Sequence, residues 1–92
     1  MKEAFLVHSV TYDGAQLNTY HANKGEGLPK HEHSYSHLTM CHSGSCVLRK
    51  ENIEKIINKN TQPINLNAAE WHEIEALEDG TVFVNVFAEG KY

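Results

Sequence analysis

The sequence predicts an all-β fold, a small antiparallel sandwich or barrel, and three observations carry that reading. Turn signals recur roughly every 8 to 15 residues along the 92-residue chain. The segments between them favour strands, above all the β-branched and aromatic run TVFVNVFA at 81–88. Asp13-Gly14, between two such segments, is a strong hairpin signal.

In chain order, residues 4–12 (AFLVHSVTY) and 15–22 (AQLNTYHA) form the first hairpin around Asp13-Gly14. Residues 37–42 and 45–50 flank Ser43-Gly44, which reads as a second tight turn. NIEKIIN at 52–58 has the propensity for a short helix, but no capping box precedes it and the run is short. Asn58-Lys59-Asn60 is a turn, 63–66 a short strand, and 70–77 a longer strand ending at Glu78-Asp79-Gly80. Gly25 and Gly44 read as backbone hinges.

The composition, 40% hydrophobic and 22% charged, belongs to a folded chain and not a disordered one. The length suits one domain, residues 1–92, with a thin stability margin that a bound metal or a second subunit would reinforce. With a net charge of −4 and no Lys/Arg-rich patch, no nucleic-acid or anionic-membrane partner is expected. MKEAFLVHSV lacks the apolar core of a signal peptide, and Val82–Ala88 is far too short to cross a bilayer. The expected compartment is the cytoplasm, which suits a chain with two cysteines.

Four of the seven histidines, His31, His33, His37 and His42, fall between Lys24 and Gly44. On a strand, His31 and His33 share a face about 6.5–7 Å apart, close enough for both rings to tilt onto one ion. On a helix they would diverge by about 200°. A straight strand would carry His37 roughly 20 Å from His31, so the chain must bend between them. Ser34-Tyr35-Ser36 can supply that bend. His37 would then open the 37–50 segment, and His72 on a neighbouring strand is the best fourth ligand. His8 and His21 lack a companion at ligand spacing. His42 has the opposite parity to His37 and reads as a surface residue, and Glu32 points away from its flanking histidines.

These residues resemble the first motif of the cupin superfamily: Gly, five residues, HxH, three or four residues, Glu, six residues, Gly. Here Gly25, His31-x-His33, His37 and Gly44 keep every spacing, with His37 in place of the usual glutamate. The second motif, Pro-x-Gly-x-x-His and then Asn after three residues, is degenerate: Asn67, Ala69, His72 and Ala76 stand at its positions. The two motifs lie at about 25–44 and 67–76. The resemblance implies a double-stranded β-helix of jelly-roll type holding one divalent transition metal on His31, His33, His37 and His72. Imidazole suits Fe, Mn, Zn, Ni or Cu and does not choose among them. Neutral imidazoles leave the ion its full charge, which attracts anionic, chelating molecules.

Around that site the expected pocket residues are Tyr35, Cys41, Arg49, Phe83, Asn85 and Phe87. Tyr35 is a candidate lid, Phe83 and Phe87 candidate walls, and Arg49 and Asn85 candidate anchors. Cys41 shares parity with His37 and Thr39, placing it below the metal. A two-residue turn at Ser43-Gly44 would also set Cys41 opposite Cys46; in a reducing cytosol both read as free thiols. The functional expectation is a metal-dependent, dioxygenase-like enzyme acting on a small chelating or anionic ligand. Non-redox sugar or uronate processing and a non-catalytic module with a structural metal are the alternatives. A homodimer is expected, because the N-terminal strand leaves an edge to cover.

Overall fold

The computed structural model describes residues 1–90, and every regular element among them is a strand. The strands are β1 (Lys2–Glu3), β2 (Phe5–Tyr12), β3 (Ala15–Ala22), β4 (Glu26–His31), β5 (His37–Ser43), β6 (Ser45–Lys50), β7 (Ile53–Asn58), β8 (Ile64–Leu66), β9 (His72–Ala76) and β10 (Thr81–Ala88). They form two five-stranded sheets, ordered β1-β4-β9-β6-β7 and β2-β3-β10-β5-β8. All pairings are antiparallel except the short β1–β4 contact. Apart from the β2–β3 and β6–β7 hairpins, successive strands alternate between the sheets, which gives the expected double-stranded β-helix barrel.

Period-two patterning positions the core. On β10, Thr81, Phe83, Asn85 and Phe87 are buried while the residues between them are half-exposed. On β9, His72, Ile74 and Ala76 point inward. Phe83 stacks on Tyr20 at 5.1 Å between ring centroids, joining β10 to β3 inside the barrel. Leu48, Ile57, Leu66 and Ile74 fill the space between the sheets.

Asp13 and Gly14 have φ of 49° and 85°, the paired positive values of a type I′ turn, and β2 and β3 pair through it as expected. One open reading is resolved and one expectation is corrected. Residues 53–58 form a strand, not a helix: all of β7 pairs with β6, and a second hairpin turns at Glu51-Asn52, where Asn52 adopts φ 58°. Ser43-Gly44 is not a hairpin turn, since β5 pairs with β10 and β8 whereas β6 pairs with β7 and β9. The chain crosses from one sheet to the other there. Gly44 makes the crossing possible: its φ is 74°, and a Cβ on it would overlap the Thr81 hydroxyl. Cys41 and Cys46 therefore lie on different sheets, not opposite each other in one ladder. Both are free and buried, their thiols meet inside the corner, and burial pushes both thiol pKa values up.

β2 is the outlier of the barrel. It edges its sheet, and all eight of its residues are exposed, including Phe5, Leu6, Val7, Val10 and Tyr12. Among the described residues no helix is long and apolar enough to cross a membrane.

Candidate metal centre

His31 ends β4 and His72 begins β9, and the two are direct cross-strand partners. After His31 the chain leaves the sheet, passes His33, bends at Ser34-Tyr35 and re-enters the opposite sheet at His37. A strand followed by a bend is what the HxH spacing predicts. The bend is stitched to the turn ahead of β9 by two main-chain donors. Ala68 N donates to Ser36 Oγ (3.0 Å), and Ala69 N donates to the carbonyl of His33 (2.7 Å). These bonds join the segments that carry the histidines.

The rings cluster. Centroids are 4.3 Å apart for His31–His72, 4.9 Å for His33–His37, 5.0 Å for His33–His72, 5.3 Å for His37–His72 and 5.4 Å for His31–His33. Ligand atoms of His31, His33 and His72 all lie within 4.8 Å of one another. His37 borders this set without belonging to it, so the structure gathers three histidines with a fourth alongside. His37 alone of the four is on the opposite sheet, and Thr39 and Leu38 hold its ring from their side.

Each ring is tethered through Nδ1 to main-chain oxygen. His31 Nδ1 bonds the carbonyl of Pro29 (2.7 Å), His33 that of Tyr35 (2.7 Å), His72 that of Glu70 (3.1 Å) and His37 that of Leu38 (3.3 Å). A carbonyl only accepts, so Nδ1 carries the proton and Nε2 presents its lone pair. Thr39 Oγ1 donates to Asn85 Oδ1 (2.8 Å), leaving its oxygen to accept from His37 Nδ1 (3.2 Å). His72 Nε2 is buried with no hydrogen-bond partner. A buried, unpartnered nitrogen is costly, and a cation at the centre of the cluster would satisfy it. Burial lowers the pKa of His37 and of His72 to about 4, with neighbouring imidazoles adding to the effect. Both are neutral at pH 7, as metal ligation requires.

Beneath the rings, Leu28, Leu48, Leu66, Ile74, Thr39 and Asn85 enclose a cavity of only about 10 Å³, room for a single small particle. Tyr35 stacks flat on His33 (4.2 Å, 9°) and lies 5.8 Å from Phe87. Asn85 lines the cavity. The other three expected pocket residues are elsewhere. Phe83 and Cys41 belong to the hydrophobic core. Arg49 is on the outer face of its sheet, its guanidinium engaged by Glu75 (3.0 Å), Glu73 (3.5 Å) and Glu54 (3.5 Å). Odd-numbered residues of β6 face outward there, a parity that only the strand register reveals. His8 and His42 are exposed and His21 half-buried, all outside the cluster. The sequence reading missed Thr39, although its shared parity with His37 pointed to it.

No family model matches the sequence, and no curated protein matches it either. Solved structures do. KdgF from Halomonas sp. superposes with a TM-score of 0.79 at 13% identity, over 88% of this chain and 74% of that one. A cupin superfamily protein from Desulfitobacterium hafniense gives 0.74 at 13% identity, over 92% and 74%. The chain has the cupin fold. A proposed mannose-6-phosphate isomerase from Ralstonia eutropha is also similar to this cupin-fold chain, with a TM-score of 0.75 at 15% identity over 95% and 85% of the two chains.

Ala69 stands where the second cupin motif has glycine, and it adopts φ 63° in an exposed turn. Ala69→Gly should relieve that left-handed strain and stabilise the fold by roughly 0.5–1 kcal/mol, read as a rise in melting temperature. The two depressed histidines set a pH dependence. An unfolded imidazole titrates near 6.5, so below that value the unfolded chain binds more protons than the folded one. Metal-free stability should be flat just above pH 6.5 and fall as pH drops toward 4, by on the order of 3 kcal/mol per histidine. Urea titrations between pH 7.5 and 5 check this, and His72→Gln should flatten the slope.

Proposed function

We propose that this chain is a metal-dependent enzyme of dioxygenase-like type, acting on a small chelating or anionic molecule. His31, His33 and His72 would hold one divalent transition metal, and His37 would close the set. The observation that carries the reading is the set of four Nδ1 tethers, which turns every Nε2 of the cluster away from its own backbone. Bound there, the metal would supply Lewis-acid polarisation of a chelating oxygen ligand and, if redox-active, dioxygen chemistry. The protein's part is orientation and exclusion of water. The tethers fix the rings, and Leu28, Leu48, Leu66 and Ile74 seal the barrel below them. With so little room beneath the cluster, the substrate must approach from the mouth, where His31 and His33 are half-exposed and Tyr35 offers a phenol. An open groove of about 440 Å³ leads from His31 along Leu28, Tyr20 and Leu6.

Non-redox processing of a sugar or uronic acid is the second reading, supported by the likeness to the proposed mannose-6-phosphate isomerase. Protein purified without affinity nickel should carry about one metal ion per chain. His33→Ala should lose most of it, and His42→Ala should keep it; equal retention would remove the assignment. Oxygen uptake with Fe(II) or Mn(II) and a panel of diketones, enediols and phenols supports the first reading. Anaerobic turnover of a sugar supports the second, and a melting temperature lowered by chelator without any turnover leaves the metal a structural role.

We also propose that the partner is a second copy of this chain, joined through β2. An exposed edge strand with apolar residues on both faces invites pairing, and antiparallel addition of the same strand closes both edges at once. Val10→Lys should turn a dimer into a monomer in light scattering, with the far-ultraviolet spectrum unchanged.

A further inference from the structure

The register of the first sheet sets three inward-facing residues in a row across the barrel mouth. His31 opposes His72, and His72 opposes Lys50 on its other side. Directly opposed residues of antiparallel strands share a face. Leu48, two residues earlier on β6, lines the cavity under the histidines, so Lys50 stands above it on the same face. Its side chain is only 18% exposed, and Nζ lies 3.3 Å from Glu70 Oε1. That oxygen is itself buried and outside hydrogen-bonding geometry. The pair is thus within ionic reach but poorly aligned. The main chain of Glu70 meanwhile tethers His72. The other cations of β4 and β6 are engaged outside the mouth: Arg49 on its three glutamates, and Lys30 over the Trp71 ring at 4.5 Å.

We propose that Lys50 recognises the anionic end of the substrate, taking a carboxylate of the chelating molecule in exchange for Glu70. This rests on the metal reading above and names the substrate class of that site. Lys50 and Glu70 cancel each other's charge, and neutral imidazoles leave a dication uncompensated, so the mouth is cationic overall once the metal is in place. An ammonium has three donors, and Glu70 engages Lys50 weakly. A carboxylate whose neighbouring oxygen sits on the metal can take that ammonium with better alignment than Glu70 achieves. Glu70 is then a positioning residue that holds Lys50 at the rim before the substrate arrives.

The test compares two bidentate oxygen chelators on the Mn(II)-loaded full chain by titration calorimetry: malonate, a dicarboxylate, and acetylacetone, a diketone of similar bite. Wild type should favour malonate. Lys50→Met should weaken malonate roughly ten- to hundredfold and leave acetylacetone within about twofold. Lys50→Arg should restore part of the loss, and Glu70→Gln, which removes the competing carboxylate, should tighten malonate. If Lys50→Met weakens both probes alike, or neither, the proposal is overturned. Metal content is measured before any probe is added, so a wild-type chain that takes up no metal marks the failure of the underlying metal reading instead.

Discussion

The site depends on one repeated interaction, an imidazole Nδ1–H given to a main-chain carbonyl. Four rings make it, through Pro29, Tyr35, Leu38 and Glu70. Each bond selects a tautomer and limits rotation of the ring, so every lone pair is committed before a ligand arrives. Because the acceptors are within two residues of each histidine, the orientation is written locally. What the tertiary structure adds is convergence. The β4–β9 register puts His31 against His72, and the Ala68 and Ala69 amides fasten the second segment to the first.

Much of this was legible in the sequence where the signal was local. Asp13-Gly14 declares a type I′ hairpin because both of its residues tolerate positive φ. The HxH spacing followed by serines implied strand and bend, and that is how His31, His33 and His37 are arranged. Where a local signal fits two tertiary outcomes, the sequence was mute. Glycine between two apolar runs looks the same in a hairpin as in a corner, and only the packing of Thr81 against Gly44 distinguishes them. NIEKIIN has residues compatible with a helix, yet a waiting edge on β6 makes it a strand. Arg49 and Lys50 are adjacent cations, and strand register alone decides that one faces outward and the other the histidines.

Burial of the cluster works in two directions. It keeps His37 and His72 neutral, which favours metal ligation, and it leaves His72 Nε2 without a partner, which weighs against the metal-free fold. A chain of this size has few other reserves of stability. Folding and metal binding would thus be coupled through the same side chains, with the strained turn at Ala69 as a further cost carried close to the histidines.

The near-absence of space under the rings has a consequence for how such a barrel diversifies. Where a deep interior pocket selects a substrate, new specificity demands repacking of buried side chains, each change risking the fold. Here the plug of leucine and isoleucine can stay untouched. On the proposed reading, discrimination would fall to the rim, to Tyr35, Lys50 and Glu70, which lie outside the buried hydrophobic core. Selectivity and stability would thereby be assigned to separate layers of one small barrel.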